Sequence, residues 1–218
     1  MTSTTRPSML RKAFTQPAFT KTWRSLSVAA VLAASGAAAQ AQGAFSLTSP
    51  DLATGRFDNA FVLNAFGCHG QNLSPELKWA NLPAGTKSLA LQIHDPDAPQ
   101  GKGFWHWAVY NIPASATGLA RGAGTSAATL PVPAFGGNTD FLDTGATGGN
   151  GNYGGPCPPS GDAPHRYTFV LYALGVDDLP KAAGIPKTGS ASLYSFILNK
   201  ALGNNLLGTA SLTATYGR

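Results

Sequence analysis

Three hydrophobic runs in this chain each adjoin a turn stiffened by proline, and that pairing restricts the fold more than any other feature. SLALQIH, Ser88 to His94, leads straight into DPDAP, Asp95 to Pro99. FWHWAVYNIP, Phe104 to Pro113, ends on its own proline. GGPCPPSGDAPHRYTFVLYAL, Gly154 to Leu174, carries a proline-rich turn into an apolar run that starts at Tyr167. Proline fixes φ, offers no N–H and pushes the preceding residue to extended backbone. Short apolar runs punctuated in this way read as strands joined by rigid turns.

The remaining composition agrees. With 26 Gly, 16 Pro and only 11% charged residues, and little long helical periodicity, the chain reads as an antiparallel β domain with long Gly/Pro-rich loops. Strands are expected at Phe45–Thr48, Ala60–Leu63, Ser88–His94, Trp105–Ile112, Tyr167–Leu174 and Ser211–Tyr216. Alternation places Leu89, Leu91 and Ile93 on one face. One helix is expected over Ser190–Leu202, with Leu193, Phe196, Ile197 and Ala201 as its core stripe and Gly203 as its stop. Asp177 to Leu179 adds a short helical turn. From Gly118 to Gly155 the chain is mostly Gly, Ala, Thr and Asn, anchored by Phe135, Phe141 and Tyr153. A loop that long in a compact domain is usually functional or flexible, and this one runs directly into the GGPCPP turn. No internal repeat or second domain is visible.

Residues 1–41 read as a secretory signal peptide, leaving 42–218 as the mature domain. They hold Arg6, Arg11, Lys12, Lys21, Arg24 and no acid, followed by LSVAAVLAASGAAA, Leu26 to Ala39, and an A-x-A site at Ala39-Gln40-Ala41. Gln42 is the expected mature N-terminus, with a cut before Gln40 as second choice. Met9 rather than Met1 as the start gives a leader of ordinary length. The apolar run is short and Ala-rich for a stable span, so no membrane span is expected after cleavage; an uncleaved anchor is the alternative. The expected location is periplasmic or secreted. Without the leader, ten basic residues face ten acidic ones. No basic stripe remains, which argues against a nucleic-acid partner. Cys68 and Cys157 are an even pair in an exported chain, which points to a disulfide; two buried thiols packing as small apolar groups is the alternative.

The polar residues beside the turns carry the chemistry. Asp95 and Asp97 can act as paired carboxylates, as a cation site, or as acceptors for turn N–H groups. His106 lies between Trp105 and Trp107, and strict alternation sends it to one face and both Trp side chains to the other. His165 and Tyr167 share a face, while Arg166 points away and is expected to tie down a loop carboxylate. Neutral His and the Tyr O–H can both donate to a phosphoryl or carboxylate oxygen. Pro156, Pro158 and Pro159 form an adjoining wall. The spacings expected of a metal site, a serine-hydrolase elbow, a P-loop or a dinucleotide fold are all missing.

These motifs, together with FGCHGQNLSPELKW from Phe66 to Trp79, resemble the phosphatidylethanolamine-binding protein (PEBP) family in its bacterial YbhB/YbcL, Raf kinase inhibitor-like branch. The resemblance runs from about Phe45 to Tyr216-Gly217-Arg218. It implies a mainly β, antiparallel β-sandwich with a C-terminal helix and short helical turns. It also implies a ligand pocket built from Asp95, Asp97, His106, Pro156, Pro158, His165 and Tyr167. His69 and His94 fall outside the matched positions, though His94 can orient Asp95. The implied function is non-enzymatic and cofactor-free binding of a small anionic group, such as phosphate, phosphoethanolamine or a phospholipid head group. The alternative is a protein-interaction or inhibitor module acting through the pocket rim and the Gly118–Gly155 loop. An exported protein does not meet the cytosolic kinases of its own cell, so the kinase label is not carried over. A weak enzyme using His106 or His165 as acid or base is a third reading, but no activated nucleophile accompanies them.

Overall fold

A computed structural model of the chain describes residues 43–218 apart from Gln100 and Asp143. The expected signal peptide lies outside the described residues. Among those residues no helix is long and apolar enough to cross a membrane.

The described residues form two antiparallel sheets. The smaller has the order β1-β2-β5, with β1 Ser46–Thr48, β2 Leu77–Ala80 and β5 Gly118–Leu119. The larger has the order β6-β4-β3-β7-β8, with β3 Ser88–Asp95, β4 Phe104–Pro113, β6 Phe135–Gly136, β7 His165–Leu174 and β8 Leu206–Tyr216. Leu47, Leu77 and Trp79 of the small sheet pack with Leu89, Leu91, Ile93, Trp107, Val109, Phe169 and Leu171 of the large one. The opposite face of the large sheet carries Ala90, Ala108, Tyr110 and Tyr172 beneath Leu179, Tyr194 and Leu198. Strands β3, β4 and β7 are therefore covered on both faces, which explains why their sequences are continuous apolar runs.

Three expectations about elements are corrected. Ala60–Leu63 is not a strand; Asn59–Phe61 is a turn of 3-10 helix. Its neighbours bond to loops instead of to a sheet, Leu63 N–H to Pro156 O at 3.2 Å and Asn72 N–H to Val62 O at 2.9 Å. Phe61, Val62 and Leu63 are buried. The expected helix does form, and Ser190 caps it, its Oγ accepting the Leu193 N–H at 3.2 Å. However, α2 spans only Ala191–Phe196 and continues as a π turn, Ile197–Ala201. Its buried residues are Ala191, Tyr194, Ile197, Leu198 and Leu202, while Leu193 and Phe196 are 40% and 62% exposed and Ala201 is exposed too. Docking runs through Tyr194, whose ring stacks on Tyr110 at 4.0 Å between centroids. The wider π turn then brings Ile197, Leu198 and Leu202 round to the sheet. The third correction concerns the short helical turn, which begins later than expected: α1 is Leu179–Ala183, capped by Asp178.

The 118–155 segment is not an open loop. It contains β5, a 3-10 turn at Ala127–Thr129 and β6, and it buries Phe141 and Tyr153. Tyr153 N–H bonds Gly124 O at 2.8 Å and Gly154 N–H bonds His106 O at 3.1 Å, which fixes the exit of the segment onto β4. Cys68 and Cys157 are joined by a disulfide with their Cα atoms 6.0 Å apart.

Candidate functional site

The order β4-β3-β7 places the end of β3 beside the beginnings of β4 and β7, because both pairings are antiparallel. Asp95 is the last residue of β3, His106 the third of β4, and His165 and Tyr167 the first and third of β7. Four polar side chains from three strands thus meet at one end of the large sheet, where they floor a cavity of about 160 Å³. Leu63, Phe66, Phe104 and Phe141 supply apolar walls, and Pro99, Pro158 and Pro159 supply stiff ones. The glycines of GGPCPP permit this closeness. A Cβ on Gly154 would lie 2.1 Å from the Phe141 ring, and one on Gly155 would lie 2.1 Å from Phe61 O.

A β-bulge aims His106. Ile93 pairs with Trp107, but the next residue, His94, pairs with Trp105, so one extra residue sits in β4. The expectation that both tryptophans share a face therefore fails. Trp107 enters the core between the sheets. Trp105 goes to the opposite face, 4.2 Å from the His94 ring between centroids. His106 joins the cavity side, edge-on to Tyr167 at 5.0 Å and to Phe141 at 5.4 Å. His94 does not orient Asp95; its Nε2 lies 3.3 Å from Lys102 O.

Asp95 is 3% exposed and uses both oxygens. Oδ1 accepts the N–H groups of Asp97 at 2.9 Å and Ala98 at 3.1 Å, an Asx turn across Pro96. Oδ2 accepts from His165 Nδ1 at 2.7 Å. The other nitrogen of His165 lies 3.5 Å from Asp162 Oδ2, so both ring nitrogens face carboxylates. His106 Nδ1 donates to Gly154 O at 2.9 Å. Its Nε2 is 4.0 Å from Asp95 Oδ2, beyond hydrogen-bond reach. Burial lowers the His106 pKa to about 4, outweighing the upward pull of the Gly154 carbonyl and the Asp95 charge. Near neutral pH, therefore, Nε2 offers a lone pair. Tyr167 is 1% exposed, and its buried hydroxyl lies beside the Asp95 carboxylate with no acceptor at close hydrogen-bond distance among the described residues. Burial first, and the Asp95 charge next, raise its pKa and keep it protonated.

Asp95, His106, Pro158, His165 and Tyr167 all line the cavity, whereas Asp97 and Pro156 do not. Asp97 turns outward and is held by Arg166, through its backbone N–H at 2.8 Å, Nε at 2.9 Å and Nη2 at 2.6 Å. Those bonds, the side-chain ones first, lower its pKa to about 2. The fork braces the DPDAP turn against β7, and Asp97 is the loop carboxylate that Arg166 ties down. Pro156 contributes through its carbonyl, which accepts the Leu63 N–H at 3.2 Å.

Besides the apolar lining, sequence reasoning missed Phe66 and Arg218 at the rim. Phe66 stands at the mouth, 61% exposed, with a φ of 52° that an aromatic residue rarely adopts. Arg218 binds carbonyls on both rims, with Nε to Pro158 O at 2.7 Å, Nη1 to Gly67 O at 2.9 Å and Nη2 to Phe66 O at 3.4 Å. The Phe66-Gly67 pair carried a faint signal of a left-handed turn, but nothing local marked Arg218.

The comparisons with known proteins converge on this architecture. Residues 53–217 match the family described as phosphatidylethanolamine-binding protein. The chain is 41% identical over 195 residues to YbcL of Escherichia coli K12, covering 88% of this chain and 98% of that protein. It is 36% identical over 171 residues to YbhB of the same organism, covering 78% and 98%. The crystal structure of E. coli YbcL matches with a TM-score of 0.69 at 40% identity, over 80% of this chain and 98% of that one. With its fold, most of its length and full-length relatives in agreement, this chain belongs to the phosphatidylethanolamine-binding protein family.

Proposed function

We propose that the protein is an exported, non-enzymatic binding protein whose cavity takes a small phosphate-bearing head group. The observation that carries this reading is the convergence of Asp95, His106, His165 and Tyr167 from three strands on one small cavity. The volume supports a small group. A cavity of about 160 Å³ suits a phosphate with a short stem. The apolar walls suit the stem.

Export is supported by the acid-free leader and by the Cys68–Cys157 bridge, since such bonds persist in oxidising compartments. A binding role rather than a catalytic one is supported by the state of the reactive groups. Both nitrogens of His165 face carboxylates, Cys157 is in the disulfide, and the Tyr167 phenol is held protonated. A second reading, a rim that engages a protein partner, is favoured by the exposed Phe66 at the mouth.

Calorimetric titration with phosphoethanolamine tests the main reading on the wild type and on His106→Ala. Saturable binding that weakens in the variant, with an unchanged circular-dichroism spectrum, is the expected result. Equal affinity in both proteins would put the ligand somewhere else.

A further inference from the structure

The helical layer behind the large sheet is one-sided in charge. From Leu179 to Arg218 the sequence holds no Asp or Glu, whereas Lys181 lies in α1, Lys200 in the π turn and Lys187 between them. None of these three lysines pairs with a carboxylate among the described residues, and Lys187 stands over the Phe135 ring at 5.2 Å. The acids just before the layer do little to balance them. Asp178 is turned into the α1 cap, where it accepts the N–H of Lys181 and the side-chain amide of Asn111, both at 3.3 Å. Asp177 is exposed and stands ahead of α1 in sequence.

The same layer exposes two large apolar side chains. Ala191, Tyr194, Ile197 and Leu198 are buried against the sheet, while Leu193 and Phe196, three positions apart, share the outward side of α2. The exposed residues near them in sequence are small or short: Ala182, Gly184, Pro186, Thr188 and Ser192. Single exposed hydrophobic residues are ordinary, but an apolar pair flanked by unpaired lysines marks a contact surface. The cavity at the end of the sheet uses none of these residues.

We propose that this face docks on an anionic lipid surface, with Phe196 and Leu193 entering the head-group boundary and Lys181, Lys187 and Lys200 lying against the acidic head groups. Apolar anchors, basic neighbours and no acid are the chemistry by which helices rest in a membrane interface. Lysine suits the position, because its stem lies along apolar surface while its ammonium reaches the charged layer. A folded protein partner needs relief to grip and acceptors at fixed places. A fluid, negatively charged surface needs neither, and the short side chains around the anchors let it approach closely. The contact is peripheral, since no helix among the described residues is long and apolar enough to cross a membrane. It is independent of what fills the cavity: the lipid is met here as a charged surface, not as one head group in a pocket.

Vesicle co-sedimentation of the exported protein tests this, with phosphatidylglycerol mixed into phosphatidylcholine compared against phosphatidylcholine alone. The expected result is binding to the mixed vesicles, little to the neutral ones, and release as salt is raised. A lysine close to an anionic surface is worth about fivefold, so Lys181→Gln/Lys187→Gln/Lys200→Gln should lower partitioning roughly a hundredfold. Phe196→Ser removes an anchor that the fold does not use and should lower it about tenfold. Saturating phosphoethanolamine should leave vesicle binding as it is. Displacement by phosphoethanolamine would move the lipid contact to the cavity and overturn the proposal. So would either variant binding like the wild type, or no binding to the mixed vesicles, which would leave the face to an acidic protein or to solvent. A failed phosphoethanolamine titration, by contrast, removes the head-group reading and leaves this inference standing.

Discussion

His106 illustrates how one residue's surroundings set its charge. Its imidazole is wrapped by Phe104, Phe141 and Tyr167 and hydrogen-bonded to a backbone carbonyl, and that enclosure lowers its pKa from 6.5 to about 4. The sign for stability follows. Between those two values the unfolded chain binds the proton and the folded one does not, so folding loses stability as pH falls from about 6.5 towards 4. Denaturant midpoints should therefore drop between pH 7 and pH 4.5 in the wild type. The drop should shrink in His106→Gln, which has no group to titrate. An identical drop in both proteins would assign it to other groups. Residue identity was legible here from the strand's apolar context, but the direction of the side chain was not. The pairing of β3 with β4 contains an extra residue that alternation within β4 alone cannot reveal.

The helix behind the sheet shows a similar limit at the scale of an element. Its existence was readable, because apolar residues recur at helical spacing ahead of the stop at Gly203. The buried face was not, since a 3.6-residue period misplaces residues once a π turn intervenes. Tyr194 and Phe196 separate the two accounts. Tyr194→Ala should cost roughly 3–5 kcal/mol by emptying the stack on Tyr110, whereas Phe196→Ser should stay within about 0.5 kcal/mol. Thermal unfolding of the two variants checks this, and a large loss on Phe196→Ser would restore the originally expected stripe. The Asp97–Arg166 fork belongs to this scale too. It was expected as a tie between a loop and a strand, but from sequence the same Asp looked like part of the pocket. Two acids one residue apart in a turn must point in different directions, and which of them turns inward depends on β7, some seventy positions away.

Across the whole molecule, the cavity depends on contacts between distant parts of the chain. The disulfide closes a sequence separation of 89 and joins the Phe66 turn to the proline wall. In the chain-entropy account a closure of that length is worth about 4–5 kcal/mol. Reduction should lower the melting temperature and weaken phosphoethanolamine binding together. Cys68→Ala/Cys157→Ala should reproduce both effects, and unchanged binding in that variant would mean that the rim holds its shape without the bridge. The large sheet was legible because its central strands are apolar throughout. The short strands β2, β5 and β6 were not, since two to four residues cannot display a period. The apolar lining from Leu63, Phe104 and Phe141 was hidden for a different reason, as these residues look like any other core hydrophobics until the loops are folded over them.

Arg218 has a practical consequence for anyone who handles the protein. Its guanidinium is clasped by the carbonyls of Phe66, Gly67 and Pro158 at the cavity mouth. An affinity tag, dye or tether joined after this residue emerges beside the opening, where it would crowd incoming ligand or drag the clasp loose. Handles and labels therefore belong on surfaces away from this clasp.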